Sequence, residues 1–311
     1  MEALTFDEFS PAFLSRAGIE DLFSGVSIPL RDGDREAFKT PGGVQSSTLA
    51  ENMARVLGID PKFKYREAYA VFIGRNFGSK AVDHMTGMAK EHIDREEYEE
   101  ACICFRAGLV LQFNDLAAMY GYARVLRAMY EDGKREDYVG NLKAEAIDYF
   151  EMTTEYYPHF DMGWYYLGYM YLNLGLYVKA QLAWDEYLRW SRDEKDRLEI
   201  DKRLSQIEEP VEIEKGYNAV LAGRWSKGLE ILEPYKDSKY SDWWPLWYYI
   251  GVACARTNRL DEAESAFKRA LKGSPRHIES MKELAAIYET TGDEPNRKKY
   301  LDKIKLLTQD V

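Results

Sequence analysis

DWWPLWYYIGVACARTNRLDEAESAFKRALKGSP, residues 242–275, is the stretch that decides the fold. With Trp244 as the first residue of a unit of about 34 residues, Trp247, Ile250 and Gly251 fall at the fourth, seventh and eighth positions. Ala263, Phe267, Ala270 and Pro275 fall at the twentieth, twenty-fourth, twenty-seventh and thirty-second. The spacing has a physical reason. Two antiparallel helices cross closely only where both carry small residues, here Gly251 and Ala263, with bulky side chains one turn away filling the gaps.

Outward from this stretch the unit recurs. One opens at Asp161 with Trp164, Leu167, Gly168 and Tyr171, turns at Gly175 and returns with Ala180 and Trp184. Val82 to Asp115 carries Met85, Met88 and Ala89, then Ala101, Phe105 and Gly108, with His92 at the eleventh position. The unit from Leu116 has Met119, Tyr122, Ala123 and Leu126, and resumes at Ala146, Phe150 and Pro158. About eleven extra residues around EDGKREDYVGN separate its halves, an insertion expected in a loop or lengthened helix at the edge. A unit from Glu209 keeps Gly216, Gly223 and Leu232, and is weakened by Glu212, Lys215 and Gly228. The last, Ile278 to Val311, has Met281, Leu284, Ala285, Tyr288, Gly292 and Leu301, with Arg297 at its twentieth position. Its basic second helix (Lys298, Lys299, Lys303, Lys305) suits a solvent-facing cap. RDEKDRLEIDKRLSQIEE, residues 192–209, places Ile200, Leu204 and Ile207 at helical spacing and is expected to extend the preceding helix or add one.

The unit resembles the tetratricopeptide repeat, in which Cys254 stands where a Tyr or Leu is usual. The resemblance covers 82–311 as units near 82–115, 116–160, 161–194, 209–242, 244–277 and 278–311. It implies an all-α fold, a right-handed α-solenoid of antiparallel helix pairs. Residues 1–81 are expected to form an N-terminal capping region. In it Thr48 and Glu51 suggest a capping box for a helix ending near Gly58. Asp60-Pro61 suggests the start of a second helix through about Phe77, and 48–81 would then be a degenerate helix pair with Ala68 and Phe72 four apart. Pro29, Gly33, Pro41, Gly42 and Gly43 break periodicity before it. Leu4, Phe6, Phe9, Phe13, Leu14, Ile19, Leu22 and Phe23 nonetheless carry too much apolar area for a disordered tail. This segment either caps the first repeat or folds back along a groove and competes with a ligand.

A net charge of −11 opposes binding to nucleic acid or an anionic membrane and favours basic partners. Cys102, Cys104 and Cys254 make a poor disulfide framework, which fits a reducing compartment. The start, MEALTFDEFSPAFLSRAG, lacks the pattern of a secretory signal, and no stretch approaches the roughly 18 apolar residues of a membrane span. A soluble, cytoplasmic protein is expected.

No catalytic constellation emerges, and neither an enzyme nor a cofactor is expected. His84, His92, His159 and His277 form no HExxH pair, and no Cys pair has zinc spacing. The glycines around Gly74 and Gly78 match no phosphate-binding loop, and Asp32-Gly33-Asp34 lacks the rest of a calcium loop. Glu96-Glu97 and Glu99-Glu100 suit a solvated helix face. A remote alternative is an enzyme whose site lies in the first 80 or so residues, which would show as a polar pocket with shifted titratable groups.

The resemblance implies binding instead. In such repeats the first helix lines a concave groove through its second, fifth, ninth, twelfth and thirteenth positions. Mapped here, they give Tyr120, Arg124, Arg127, Tyr165, Tyr169, Asn173, Tyr217, Tyr248 and Arg256 as a peptide-binding groove. Tyr and Arg supply interface hot spots, and the arginines favour an acidic peptide. The bland alternative packs several of these tyrosines between repeats. The Lys and Asn clamp for chaperone tails is absent, since its first two positions hold Thr86 and Lys90, Tyr120 and Arg124, or Tyr165 and Tyr169. The expected partner is a protein or peptide. A homo-oligomer would follow if Trp243, Trp244 and Trp247 were exposed rather than buried between repeats.

Overall fold

The computed structural model describes residues 4–40 and 43–309, so Pro41, Gly42 and the very end of the last unit lie outside the described residues. The chain divides into two compact units, Met1–Leu167 and Gly168–Val311.

The first unit opens with a small sheet absent from the sequence-based expectation. Strand β1 (Leu4–Glu8) pairs antiparallel with β2 (Ser27–Arg31), setting Phe6 opposite Pro29. Five residues per strand give the alternation little room to stand out among the surrounding aromatics. Pro29, expected to break structure, sits inside β2. With no N–H to donate it is tolerated in a two-stranded sheet, and its carbonyl accepts from Asn52 Nδ2 at 3.2 Å. Between the strands lie α1 (Pro11–Ala17), capped by Ser10 Oγ, and α2 (Glu20–Phe23); α3 (Asp34–Phe38) follows β2.

Helices α4 (Ser46–Ile59) and α5 (Arg66–Phe77) come next, with starts unlike those expected. α4 begins ahead of Thr48, where Gln45 leaves the extended region without a side-chain cap, so the Thr48–Glu51 pair is internal to the helix. Asp60 caps nothing in α5; its carboxylate accepts from the Lys62 N–H at 3.0 Å within a turn. Phe9, Leu14, Ile19, Phe23, Ile28 and Leu30 share one buried core with Leu49, Met53, Leu57, Tyr69 and Phe72 of these helices. Polar side chains fix the register. Asn52, fully buried, also accepts from Arg31 Nε at 2.9 Å, while the Tyr65 and Tyr69 hydroxyls donate to the carbonyls of Gly25 and Ser27.

The remaining hairpins of this unit are α6 (Ala81–Asp94) with α7 (Tyr98–Leu111), and α8 (Leu116–Glu131) with α9 (Val139–Tyr156). α7 touches α8, and α4 packs on α7 as well as α5. Arg55 of α4 makes a bidentate ion pair with Glu100 of α7. The insertion becomes a turn and an early start to α9. Arg135 anchors it, bonding Asp132 at 2.6 Å and Glu99 of α7 at 2.7 Å.

Helix α10 (Asp161–Asn173) contains the boundary between units. The second unit continues with α11 (Tyr177–Trp190), α12 (Glu194–Leu221), α13 (Trp225–Leu232), α14 (Trp244–Arg256), α15 (Leu260–Gly273), α16 (Ile278–Thr291) and α17 (Glu294–Gln309). From α11 on, each helix packs against the next. The charged stretch 192–209 does not extend the preceding helix; it opens a new one that runs on without a break into the unit from Glu209. Ser191 turns extended and ends α11, and the Asp193 carboxylate accepts from the Asp196 N–H at 3.0 Å to start α12. α12 spans 28 residues in all and continues through Pro210, with Ile200, Ile207, Val211 and Ile213 buried along it. Among the described residues no helix is long and apolar enough to cross a membrane.

The α14–α15 pair meets where the sequence placed its small residues. Ala263 and Phe267 are fully buried, and a Cβ on Gly251 would stand 2.7 Å from the Phe267 ring. Gly251→Ala is expected to cost about 1–3 kcal/mol by overpacking. Urea denaturation would show a lower midpoint at unchanged slope; an unchanged midpoint would remove this close crossing as a constraint.

Candidate binding surface

Along α8, Ala117, Tyr120, Arg124 and Ala128 follow one another at three and four residues and so share a face. Tyr120 is held edge-on against Phe160, with centroids 4.9 Å apart, and more distantly against Phe150 and Tyr166. Burial pushes its hydroxyl pKa up, with Arg124 alongside acting the other way. The Arg124 guanidinium lies over the Tyr120 and Tyr166 rings at 5.6 and 5.5 Å. Arg127 lies over Tyr166 at 5.0 Å and pairs with Glu131 at 2.9 Å. Thus three mapped residues converge here, and the ring the arginines cover is Tyr166. Tyr165 meets Tyr166 edge-on at 5.2 Å.

Beside this face is a hollow of about 680 Å³ walled by Ile93 of α6, Tyr98 and Phe105 of α7, Tyr120 and Val125 of α8, and Phe160. Lys90 and Arg124 line it too. Gly121 is what lets α8 approach Phe105, because a Cβ there would run into the ring. Lys90 and Ile93 were legible, since counting positions nine and twelve one unit earlier reaches them. Tyr98, Phe160 and Tyr166 were not, as they occupy positions outside the groove register.

In the second unit the mapped residues have different surroundings. Tyr169 donates from its hydroxyl to Glu199 at 2.6 Å and packs edge-on against Trp184. Asn173 is exposed at the end of α10. Tyr217 stacks on Tyr249 at 4.4 Å, and Tyr248 meets Tyr249, Phe267 and His277. Arg256 makes a bidentate ion pair with Glu283 at 2.9 and 3.2 Å, so its charge is engaged within the chain. Trp243 stacks with Tyr177, Trp244 lies against His277, and Trp247 donates to the Ser241 carbonyl under the Arg269 guanidinium.

Two of the cysteines and one of the histidines have structural settings. Burial pushes the Cys102 and Cys104 thiols up to about 12, where they are protonated and poor nucleophiles. His277 caps α16, its Nδ1 accepting from the Ser280 N–H, and burial lowers its pKa. Among the described residues no group of three His, Cys, Asp or Glu side chains could hold a metal ion.

A family model described as tetratricopeptide repeat matches residues 236–278. No curated protein matches the sequence. Among solved structures, the TPR domain of P58(IPK) is 12% identical, with 96% of this chain and 87% of that chain covered, at a TM-score of 0.44. MamA from Desulfovibrio magneticus RS-1 is 17% identical over 60% of this chain and 96% of that chain, at 0.32. YrrB, described as a TPR protein with an unusual peptide-binding site, is 16% identical over 66% and 93%, at 0.30. Overlays this loose carry no argument about a ligand.

Burial raises the pKa of Tyr69, Tyr120, Tyr122 and Tyr217 above the ordinary 10.0. The folded chain therefore holds these phenolic protons where the unfolded chain has lost them. Stability is full below about pH 10 and falls as pH rises from there toward the folded values. Denaturation midpoints should be flat up to about pH 10, with a group of tyrosines ionising by absorbance only as the chain unfolds. One ordinary titration step for every tyrosine would contradict this burial.

Proposed function

We propose that this chain, whose residues 236–278 match a tetratricopeptide-repeat model, is a protein- or peptide-binding scaffold with no catalytic chemistry of its own. One observation carries the proposal. The α8 face sets Tyr120 and Arg124 at the edge of an apolar hollow of about 680 Å³, joining an amphipathic aromatic, a cation and unfilled apolar surface in one place. Tyr165 in the first unit, and Tyr169, Asn173, Tyr217, Tyr248 and Arg256 in the second, are proposed as peptide-binding residues by their repeat positions alone. The engagement of Tyr169 with Glu199 and Arg256 with Glu283 supports giving the greater part of the binding energy to the first unit.

In this proposal residues 1–81 are a cap and 82–311 the repeat domain. The support is the shared core of the N-terminal segment with α4 and α5, which favours capping over groove occupancy. The partners made by Trp243, Trp244 and Trp247 inside the chain likewise favour a packing role over a dimer contact.

The test is affinity capture from a lysate of the native host, comparing wild type with a folded Tyr165→Ala, Tyr169→Ala, Arg124→Ala variant. A specific captured protein should lose tenfold or more in affinity, about 1.4 kcal/mol. Equal affinity for every captured protein would refute the groove. Deleting residues 1–45 should lower stability without strengthening binding; tighter binding would instead establish self-occupancy.

A further inference from the structure

We propose that the hollow beside α8 is a socket for one large apolar side chain from an acidic segment of a partner protein, with Lys90 and Arg124 receiving the carboxylates that flank it. The inference rests on the scaffold reading and names the chemistry of its ligand.

The shape comes first. Ile93, Tyr98, Phe105, Tyr120, Val125 and Phe160 wall a volume of about 680 Å³. That lies within the roughly 300–1,000 Å³ of ligand sites and admits an aromatic side chain with room for its backbone. Burying such a side chain is the step that supplies affinity.

Charge then chooses among apolar ligands. The chain carries 53 acids against 42 bases, and most of its well-placed arginines are matched to carboxylates: Arg55 with Glu100, Arg127 with Glu131, Arg256 with Glu283, Arg259 with Glu262. Lys90 and Arg124, both exposed and both on this hollow, are in no ion pair among the described residues. Arg124 is also preorganised, because the Tyr120 and Tyr166 rings lie under its guanidinium and limit what it loses on meeting a carboxylate. The acid on the lining, Asp115, is engaged as the cap of α8, accepting from the Ala118 N–H at 2.8 Å. A basic ligand would leave both cations repelled. A nucleic acid would need a longer basic stripe than two cations on an acidic chain provide.

The experiment uses the full chain and fluorescent synthetic peptides with a central Trp, Leu or Ala flanked by Asp, Asn or Lys. Polarisation should rank Trp and Leu above Ala and Asp above Asn above Lys, with each removal costing about tenfold. Arg124→Glu should invert the flank preference toward Lys. Ala117→Trp, which puts bulk into the hollow from an exposed helix position, should abolish binding while circular dichroism and the denaturation midpoint stay near wild type. Indifference to flanking charge, or full binding by Ala117→Trp, would overturn the socket. A natural partner lost by the Tyr165, Tyr169, Arg124 triple variant yet held by Ala117→Trp would overturn the socket and leave the scaffold standing. One held by both variants would overturn the socket and the groove together.

Discussion

The structure depends on helices crossing at positions too crowded for an ordinary side chain. Gly251 lies against Phe267 and Gly121 against Phe105, so the bulky ring of one helix occupies the space a Cβ would take on another. Close-packed interiors transmit such constraints, since neither partner can grow without moving its neighbours. On α8 the buried core of Met119, Tyr122, Ala123 and Leu126 lies on one side, while Tyr120 packs against Phe160, Phe150 and Tyr166 and supports the Arg124 guanidinium beside it.

A stack of helical hairpins has an apolar end that must be covered. On the capping proposal the cover is a short β-hairpin and three small helices, whose aromatic side chains fill most of the core they share with α4 and α5. Phe9 alone contacts the rings of Phe13, Phe23, Phe38 and Phe72. Backbone groups that such irregular structure would strand are met by Asn52, Tyr65 and Tyr69. Buried polar groups need partners, and these three hold the hairpin in one register.

How much was legible follows from how far each signal reaches along the chain. Helix pairs were readable because small and bulky residues recur over many turns, and Gly251, Ala263 and Phe267 meet as their spacing requires. Helix starts were less so. The Thr48–Glu51 box is a real sequence match, but Ser46 and Ser47 tolerate helix equally well and α4 begins before it. The break at Ser191 is marked only by a polar tripeptide, so the sequence leaves open whether the charged stretch extends the preceding helix or adds one, and does not show that it runs on into the next unit. At the surface, counting positions found Tyr120 and Arg124. Counting cannot find Phe160 or Tyr166, whose place depends on how neighbouring elements fold together, and it is blind to Glu199 and Glu283 as partners of Tyr169 and Arg256.

The central claim is that the α8 face, rather than the outer face of α9, meets the ligand. A diazirine analogue of lysine that keeps the ammonium, placed at Lys90 on the same hollow or at Asp148, both exposed, puts the question directly to a captured partner. A covalent adduct is expected from position 90 and none from position 148. An adduct formed from 148 alone would contradict it.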